Sequence, residues 1–452
     1  DEAKALYQEL LETYPDAAGP GGQNMGDVVR RVLGRQPEDR EATPETAERR
    51  DTDYAGELDF LWRQVRDTYP YFEDKQIDWN AVGDEMRRRV QTIGTDADFV
   101  LVCKEMVQRL EDSHCSVQPI GVSLPRDSRR GCGLALAAFG RNEAIVLRVV
   151  AGGKAEQAGC RPGWVLTHID GTPVTRRVEE ERLMSRRGFS TPWAAWYRLI
   201  DTVTSGQEGT TAQLTFRLPD GAKRTVEVER TGERTREEQW IHPPGTHEGE
   251  QVDYAIVGGD TAYVHVRSLM AEGRRGSEPN AVLRAEFEEA IGALGATRRA
   301  VLDLRGNSGG NSGIAKWLLG HFVDVPLGVP RWGTIEPQSP PLWVRTAVLI
   351  DSGLISTGDQ IAAMCQPFPQ KFPLLGKPTT GSSGEPVKIE APSGLLSATI
   401  SSKRVVDHTG FVIEGRGVQP HLPLDWRPAD LARGEDSFIN QAIEYLTSSE
   451  SR

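Results

Sequence analysis

Two stretches of this chain could together build a nucleophilic site. In VLDLRGNSGG, Val301 to Gly310, an apolar run ends in small, turn-forming residues; in LISTGDQIAAM, Leu354 to Met364, a serine stands where a turn gives way to a helix. Small residues leave main-chain N–H groups open to a substrate. A helix N-terminus adds unpaired amides and the positive end of the helix dipole, so an oxyanion formed beside Ser356 would be stabilised there. Ser356 is therefore the candidate nucleophile, and a plain N-cap is its structural alternative.

A serine hydroxyl needs a base, and the base needs an orienting group. Of the eight histidines, His168, His242, His247, His265, His321, His408 and His421 stand in ordinary strand or loop contexts and read as structural or solvated. His114 differs. It lies in LEDSHCSV, directly after Phe99, Val100, Val102, Met106, Val107 and Leu110, whose spacing predicts a helix packed by one face. A turn closing that helix would present the imidazole to a neighbouring unit.

The elements that must hold these groups follow from hydrophobic patterning. Leu58, Phe60, Leu61, Val65 and Tyr69 predict a further helix in a small helical unit over Asp51 to Val117. Downstream, the pattern predicts strands at Thr261–Val266, Ala300–Leu304 and Trp343–Ile350. Further strands fall near Leu374–Gly376, Gly394–Ile400 and Phe411–Ile413, with Leu422–Trp426 closing the unit. Helices are predicted over Asn280–Leu294, Ser312–Phe322, from Ser356, and over Ser437–Leu446. Strands alternating with helices imply a mostly parallel sheet covered by helices. Asp1 to Tyr14 suggests an amphipathic helix, Pro15 to Asp51 a mobile linker around a short helix near Gly26 to Leu33, and Thr231 to Glu250 a polar connector.

LEDSHCSV, VLDLRGNSGG, LISTGDQIAAM and IEGRGVQPHLPL, in that order, resemble the successive signatures of the serine peptidase family that contains the tail-specific, C-terminal-processing proteases and the tricorn core protease. The resemblance runs from about Asp51 to Thr447. It implies a crotonase-like α/β catalytic domain of ββα units, a small helical N-terminal domain and a PDZ-like β-rich domain. The tail-specific branch uses a Ser-Lys dyad whose lysine follows a G-x-x-T-x-G turn. Here that turn is Gly376 to Gly381 and the next residue is Ser382, while Lys377 within the turn reads as a solvated charge. The tricorn-like branch uses a histidine and a late glutamate, which the resemblance assigns to His114 and Glu414, with Ser113 as a supporting polar member. On this basis Ser356 is the nucleophile, His114 the general base and Glu414, alone or through Ser113, the orienting group. The amides of Thr357 and Gly309, with Gly310 as the other possibility, would form the oxyanion hole. A Ser-Lys protease using Lys388 or Lys403, and a non-catalytic binding module of the same fold, are the alternatives.

Gly131-Cys132-Gly133-Leu134-Ala135-Leu136, with the glycine-rich loop around Gly152 and Gly153 and the later Ile169-Asp170-Gly171, resembles a PDZ domain of the bacterial protease type. An apolar strand beside such a loop can add a peptide strand, which makes Gly131, Gly133 and Leu134 candidate peptide contacts. The implied organisation is an N-terminal helix and linker over 1–50, a helical cap over 51–118, a PDZ-like unit over 119–235 and a catalytic unit over 236–452.

Composition bounds the partners. A chain of 452 residues with 38% hydrophobic and 26% charged residues has the profile of a multidomain globular protein, and a net charge of −12 argues against nucleic acid. No apolar run approaches the roughly 18 residues of a membrane span. The five cysteines Cys103, Cys115, Cys132, Cys160 and Cys365 contain no C-x-x-C pair, which argues against a zinc site, and no cofactor is expected. Cys115 beside His114 reads as a small buried residue rather than a thiol nucleophile. The expected partner is a peptide or protein substrate. The chain opens at Asp1 without an export signal; with a leader removed it would be secreted or periplasmic, and otherwise cytoplasmic.

Overall fold

The structure is a computed structural model and describes residues 52–448 except 126, 233–240, 271–279 and 343. The elements expected before Asp51, part of the Thr231–Glu250 connector, and Trp343 lie outside the described residues.

Three capped helices open the described chain: α1 (Tyr54–Thr68), α2 (Trp79–Val90) and α3 (Asp96–Gln108). Asp53, Asp78 and Thr95 each accept a hydrogen bond from a first-turn amide, satisfying donors that a helix start leaves open. Their inner faces bury Leu58, Leu61, Val65, Met86, Phe99, Val100 and Met106. That core does not close on itself. It also contains Ile389, Leu396, Ala398, Ile400 and Val412 from far downstream, and β1 (Ser116–Pro119) pairs antiparallel with Leu396–Ser401. The expected boundary at residue 118 is thus crossed by a shared core, because three short helices need a sheet face to cover their apolar sides.

The next unit is an antiparallel sheet built from β2 (Leu134–Phe139), β3 (Glu143–Val149), a short helix α4 (Lys154–Gln157), β4 (Val165–Ile169), β5 (Thr172–Pro173), helices α5 (Val174–Ser185) and α6 (Pro192–Leu199), β6 (Thr211–Arg217) and β7 (Lys223–Glu229). Strand order is β2-β3-β4-β6-β7, with β5 beside β4. Alternate residues Ala212, Leu214 and Phe216 of β6 are buried, the period of a sheet with one covered face. Leu134 is buried and pairs with Val149, and the Gly133 carbonyl accepts from Val150 N at 3.0 Å. The Gly131 carbonyl accepts from Gly232 N at 3.3 Å. Strand β2 lies at the edge of the sheet, and its Leu136 N–H donates to Asp201 Oδ1 at 2.8 Å. A peptide strand added at that edge would have to replace this bond.

A second six-stranded sheet has the order β17-β14-β13-β10-β9-β8, and every neighbouring pair is parallel except β8 with β9. Its elements follow the chain as β8 (Val252–Val257), β9 (Thr261–Val266), α7 (Ala281–Leu294), β10 (Arg299–Asp303), α8 (Ser312–Gly320), the hairpin β11 (Leu327–Val329) and β12 (Gly333–Ile335), β13 (Arg345–Ile350), α9 (Thr357–Cys365) and β14 (Leu374–Gly376). Two strands outside this sheet, β15 (Pro386–Glu390) and β16 (Leu396–Ser401), pair with each other and then β1; β17 (Leu422–Pro423), α10 (Pro428–Ala432) and α11 (Ser437–Ser448) close the unit. Phe411–Ile413, expected as a strand, makes only a single bridge between Val412 and Val406.

The continuous apolar runs of β10 and β13 have a direct cause: both faces are covered. Leu302, Val348 and Ile350 pack with α7, α8 and α9, whereas Val301, Ala347 and Leu349 pack with Phe438, Ile439, Ala442 and Leu446 of α11. The C-terminal ends of β10 and β13 are neighbours and lead into the two glycine-rich turns read from the sequence.

Arg305, just past β10, is 2% exposed and joins Asp303 at 2.6 Å to Asp436 at 3.1 Å, tying the strand end to the start of α11. Removing one member of a buried charge cluster leaves the others uncompensated, at about 3–5 kcal/mol. Arg305→Met should therefore lower the unfolding free energy obtained from urea titration by an amount in that range. A loss under about 1 kcal/mol would show that this cluster does not seat α11.

Candidate active site

Strand β13 delivers the chain into the turn Asp351–Ile355, and Asp351 shapes it. Its Oδ1 accepts from Gly353 N at 3.0 Å and Leu354 N at 3.1 Å, and from Gly306 N of the adjacent turn at 2.8 Å. One carboxylate therefore fixes both glycine-rich turns to each other. Gly353 has to be glycine, since a Cβ there would lie 2.2 Å from the Tyr197 ring.

Ser356 has φ +63 and ψ −124, a backbone region that a serine adopts at a cost of about 1–3 kcal/mol. Helix α9 begins at the next residue, so Ser356 is the N-cap as well as the sharpest bend of the turn. The cap and nucleophile readings describe the same position. Ser356 N–H donates to Ser382 O at 2.8 Å and to Asp359 Oδ2 at 3.1 Å, and the residue is partly exposed.

The turn after β10 presses against this bend. Gly309 has φ +79, and a Cβ on it would lie 2.6 Å from Ser356 Cβ and 2.9 Å from Thr357 N. Its own N–H is taken by Asn307 Oδ1 at 2.9 Å, so Gly309 is not the free donor expected from the sequence. Gly310 differs. The bridge to Leu269 uses Leu269 N with Gly309 O and Asn311 N with Leu269 O, leaving the Gly310 N–H outside that pairing. Thr357 Oγ1 donates to Gly310 O at 2.5 Å, which holds the two candidate amide donors side by side.

His114 enters from the turn after α3. Its main-chain N–H donates to Asp112 Oδ1 at 2.8 Å, and its Nδ1 is 2.8 Å from Ser382 Oγ. Ser382 also donates through Oγ to Asp112 Oδ1 at 3.1 Å, while Ser401 Oγ donates to Asp112 Oδ2 at 2.8 Å. Ser382 thus touches the nucleophile's amide with its carbonyl and the candidate base with its hydroxyl. Among the described residues no hydrogen bond joins the imidazole to Ser356 Oγ; unliganded catalytic pairs often sit looser than in the complex. Burial holds the His114 pKa below its usual value, with Asp112 opposing that shift.

Ser113 and Glu414 lie in the same region, and among the described residues neither is hydrogen-bonded to the imidazole. Ser113 Oγ accepts from Ser190 N, and Ser190 Oγ accepts from Ser113 N, both at 3.0 Å. Glu414 is 4% exposed and its Oε1 is bound by Lys75 Nζ at 2.7 Å. Lys75 further donates to the carbonyls of Leu110 and Glu111. Burial, then nearby Asp112, pushes the Glu414 carboxyl well above its ordinary range, against the pull of Lys75 and the Ser190 hydroxyl. Lys75, Ser190 and Glu414 line a cavity of about 430 Å³ with Arg404, Phe411 and Arg416.

The other lysines are engaged elsewhere. Lys388 and Lys403 pair with Glu390 and Glu385 at the surface. Lys377 is not simply solvated: its Nζ donates to Ala138 O at 2.6 Å and pairs with Asp425 at 3.0 Å, linking the β2 strand to the large sheet unit. Cys115 is buried against Ser401, and burial raises its thiol well above the ordinary value, so no thiolate stands beside His114.

Sequence reading missed Asp112, Lys75, Ser190 and Asp359, and noted Ser382 only as the place where a lysine was absent. Asp359 carried a readable signal, because Ser356-x-x-Asp359 has the spacing of a capping box. Lys75 and Ser190 carried none, since their partners are set by tertiary packing.

Comparison with known proteins follows this geometry. Residues 50–108 match the tricorn protease C1 domain, and residues 260–424 match peptidase family S41. The chain is 24% identical to tricorn protease homolog 2 of Streptomyces coelicolor, covering 96% of this chain and 35% of that protein. It is also 24% identical to tricorn protease homolog 1 of the same organism, over 85% of this chain and 34% of the relative. The chain therefore spans about a third of the length of these relatives. Among solved structures, mature CPAF superposes with a TM-score of 0.65 at 14% identity, covering 87% of this chain and 95% of CPAF. That likeness extends the shared mixed α/β fold, with its N-terminal helical region and β-rich sheets, over nearly the whole chain. The matched segments lie on either side of His114, and the second contains Ser356 and Glu414: residues 260–424 match a peptidase family S41 domain and residues 50–108 a tricorn protease C1 domain.

Proposed function

We propose that the chain hydrolyses peptide bonds of polypeptides or oligopeptides through an acyl-enzyme, with Ser356 as nucleophile and His114 as general base. One observation carries this reading. Ser356 occupies a strained strand-to-helix bend, and the residue that accepts its N–H, Ser382, places its hydroxyl on the Nδ1 of His114. A structural N-cap has no need of the strain, nor of a histidine one residue away through hydrogen bonds.

In the proposed step the Ser356 oxygen bonds to the carbonyl carbon while His114 Nε2 takes its proton. Collapse of the tetrahedral species breaks the C–N bond, and the same proton goes to the departing amine. Water then attacks the ester, gives a proton to His114, and releases the acid as the proton returns to Ser356. The amides of Thr357 and Gly310 would receive the oxyanion; losing one such donor costs about 10²–10³ in turnover. The crotonase-like and PDZ-like assignments, and a substrate of peptide or protein class, belong to the same proposal. Lysine as base is disfavoured by the surface pairing of Lys388 and Lys403.

A fluorophosphonate probe tests the nucleophile without a known substrate. It should label the wild type, and labelling should vanish in Ser356→Ala with the fold retained by circular dichroism. His114→Ala should slow labelling by about 10⁴-fold or more. Labelling of His114→Ala at the wild-type rate would remove the histidine from the mechanism, and no labelling of the wild type would favour a binding module.

The rate should rise with pH as the imidazole becomes neutral, with a midpoint under the usual histidine value of about 6.5 because burial lowers it. A rate that stays flat between about pH 5 and 8 would contradict the assignment.

Backbone strain supplies an independent check. Glycine relieves the φ at position 356, a gain of about 1–3 kcal/mol set against about 1 kcal/mol of added unfolded-state freedom. Ser356→Gly should therefore unfold at a higher temperature than Ser356→Ala. Equal or reversed stabilities would show that the bend is unstrained.

A further inference from the structure

We infer that Asp112, acting through Ser382, is the pair that orients the His114 imidazole and selects its tautomer. The inference deepens the Ser-His reading above and rests on it. It comes from counting protons. The Ser382 hydroxyl has one hydrogen and two neighbours, Asp112 Oδ1 at 3.1 Å and His114 Nδ1 at 2.8 Å. An ionised carboxylate can only accept, so the hydroxyl hydrogen goes to Asp112 and the Ser382 oxygen must accept from His114. The proton of the neutral imidazole then sits on Nδ1. Nε2 keeps its lone pair, which is the form a general base requires.

The surroundings hold this direction. Asp112, Ser382 and Ser401 are each 0% exposed, so none can exchange its partner for bulk water. Asp112 Oδ1 also accepts the His114 main-chain N–H at 2.8 Å, and Oδ2 accepts the Ser401 hydroxyl at 2.8 Å. Turning the Ser382 hydroxyl toward the imidazole would take a donor from a buried carboxylate, which is unfavourable where water cannot replace it. When Ser356 gives up its proton, the imidazolium would face the Asp112 charge across one hydroxyl. Glu414 Oε1 is bound by Lys75, and among the described residues no hydrogen bond joins the Glu414 carboxyl to the imidazole.

Both residues are positioning residues, because neither touches the reacting atoms. The charged and titratable groups around the imidazole are Asp112 and Cys115 on its own turn, Asp359 of α9 behind the Ser382 amide, and Glu414 with Lys75 from the 411–417 and 69–78 segments. The test measures the fluorophosphonate labelling rate against pH in wild type, Ser382→Ala, Ser382→Thr, Asp112→Asn and Glu414→Gln. Ser382→Ala and Asp112→Asn should slow labelling by about 10²–10⁴-fold. Asp112→Asn should also move the acid limb to lower pH, since the charge that raises the imidazole pKa is gone. Ser382→Thr, which keeps the hydroxyl, should recover most of the rate.

Wild-type labelling and an unmoved acid limb in both Ser382→Ala and Asp112→Asn would overturn the inference. So would a limb that moves in Glu414→Gln and not in Asp112→Asn. Should Asp112→Asn fail to fold, ¹H–¹⁵N spectra of histidine-labelled wild type decide the point: a proton on Nδ1 of neutral His114 supports the relay, and one on Nε2 overturns it. His114→Ala separates the two levels. Retained labelling there defeats the Ser-His reading itself, whereas lost labelling with intact Ser382→Ala defeats only the relay.

Discussion

The Asp359 carboxylate is the constraint on which the site depends. It lies in the first turn of α9, is fully buried, and accepts from Ser356 N, Gly381 N, Ser382 N and Thr379 Oγ1. Three of those donors belong to the loop after β14, and the fourth is the amide of the candidate nucleophile. A single side chain therefore sets the distance between the strained bend and the segment that carries Ser382. Burying a carboxylate is unfavourable unless its oxygens are satisfied, and here four donors offset part of that penalty. Because the loop geometry is what satisfies the charge, the loop cannot relax without exposing it.

The same loop is where the three folding units meet. From the helical side, the α3 turn contributes Asp112 to Ser382 and Ser401. From the β-rich side, Thr191 Oγ1 donates to Thr380 O at 2.9 Å and Trp193 Nε1 to Thr379 O at 2.7 Å. Within the large sheet unit, Thr380 Oγ1 donates to Ser352 O at 2.7 Å in the turn before Ser356. Residues 379–382 have main-chain or hydroxyl groups spent in all directions, so displacement of any unit acts on the position of Ser382. Leu136 of β2 is hydrogen-bonded to Asp201, just past α6, and Thr191 and Trp193 at the start of α6 are hydrogen-bonded to the loop, so that edge reaches the loop through the helix.

How much of this was legible follows from the range of each interaction. The parallel sheet was readable because the apolar runs of β9, β10 and β13 are buried on both faces, and such runs leave a local trace. Ser356 was readable because turn and helix-start residues surround it, and His114 because it follows a helix with a clear apolar face. Asp112 was in view yet read only as turn material; its partners Ser382 and Ser401 lie 270 and 289 residues further along the chain. The pairing of Glu414 with Lys75 spans 339 residues, and no local pattern encodes it. The choice between Gly309 and Gly310 as oxyanion donor was left open by the sequence, because it turns on Asn307, a turn former, which spends its side chain on the Gly309 amide. The shared core between α1–α3 and β16 escaped for a similar reason: each half looks adequately apolar until its uncovered face is counted.

Two buried titrating groups of the site, Asp359 and His114, pull against each other. Burial brings the Asp359 carboxyl from 3.8 up to about 7, against the donors that favour its charge. The folded chain then holds that proton more tightly than the unfolded chain. Stability from this group is complete below about 4 and declines as pH rises through about 7. His114 has the opposite sign. Its folded value lies below 6.5, so the unfolded chain binds the extra proton, and stability gained from the neutral imidazole grows as pH rises toward 6.5. These two contributions therefore partly cancel over the interval in which both titrate. Function does not share this cancellation. A base requires His114 neutral, and that form is reached below the usual 6.5, within the range over which the Asp359 contribution declines. The site is in this sense completed on the side of the titration where one of its own supports has begun to cost stability.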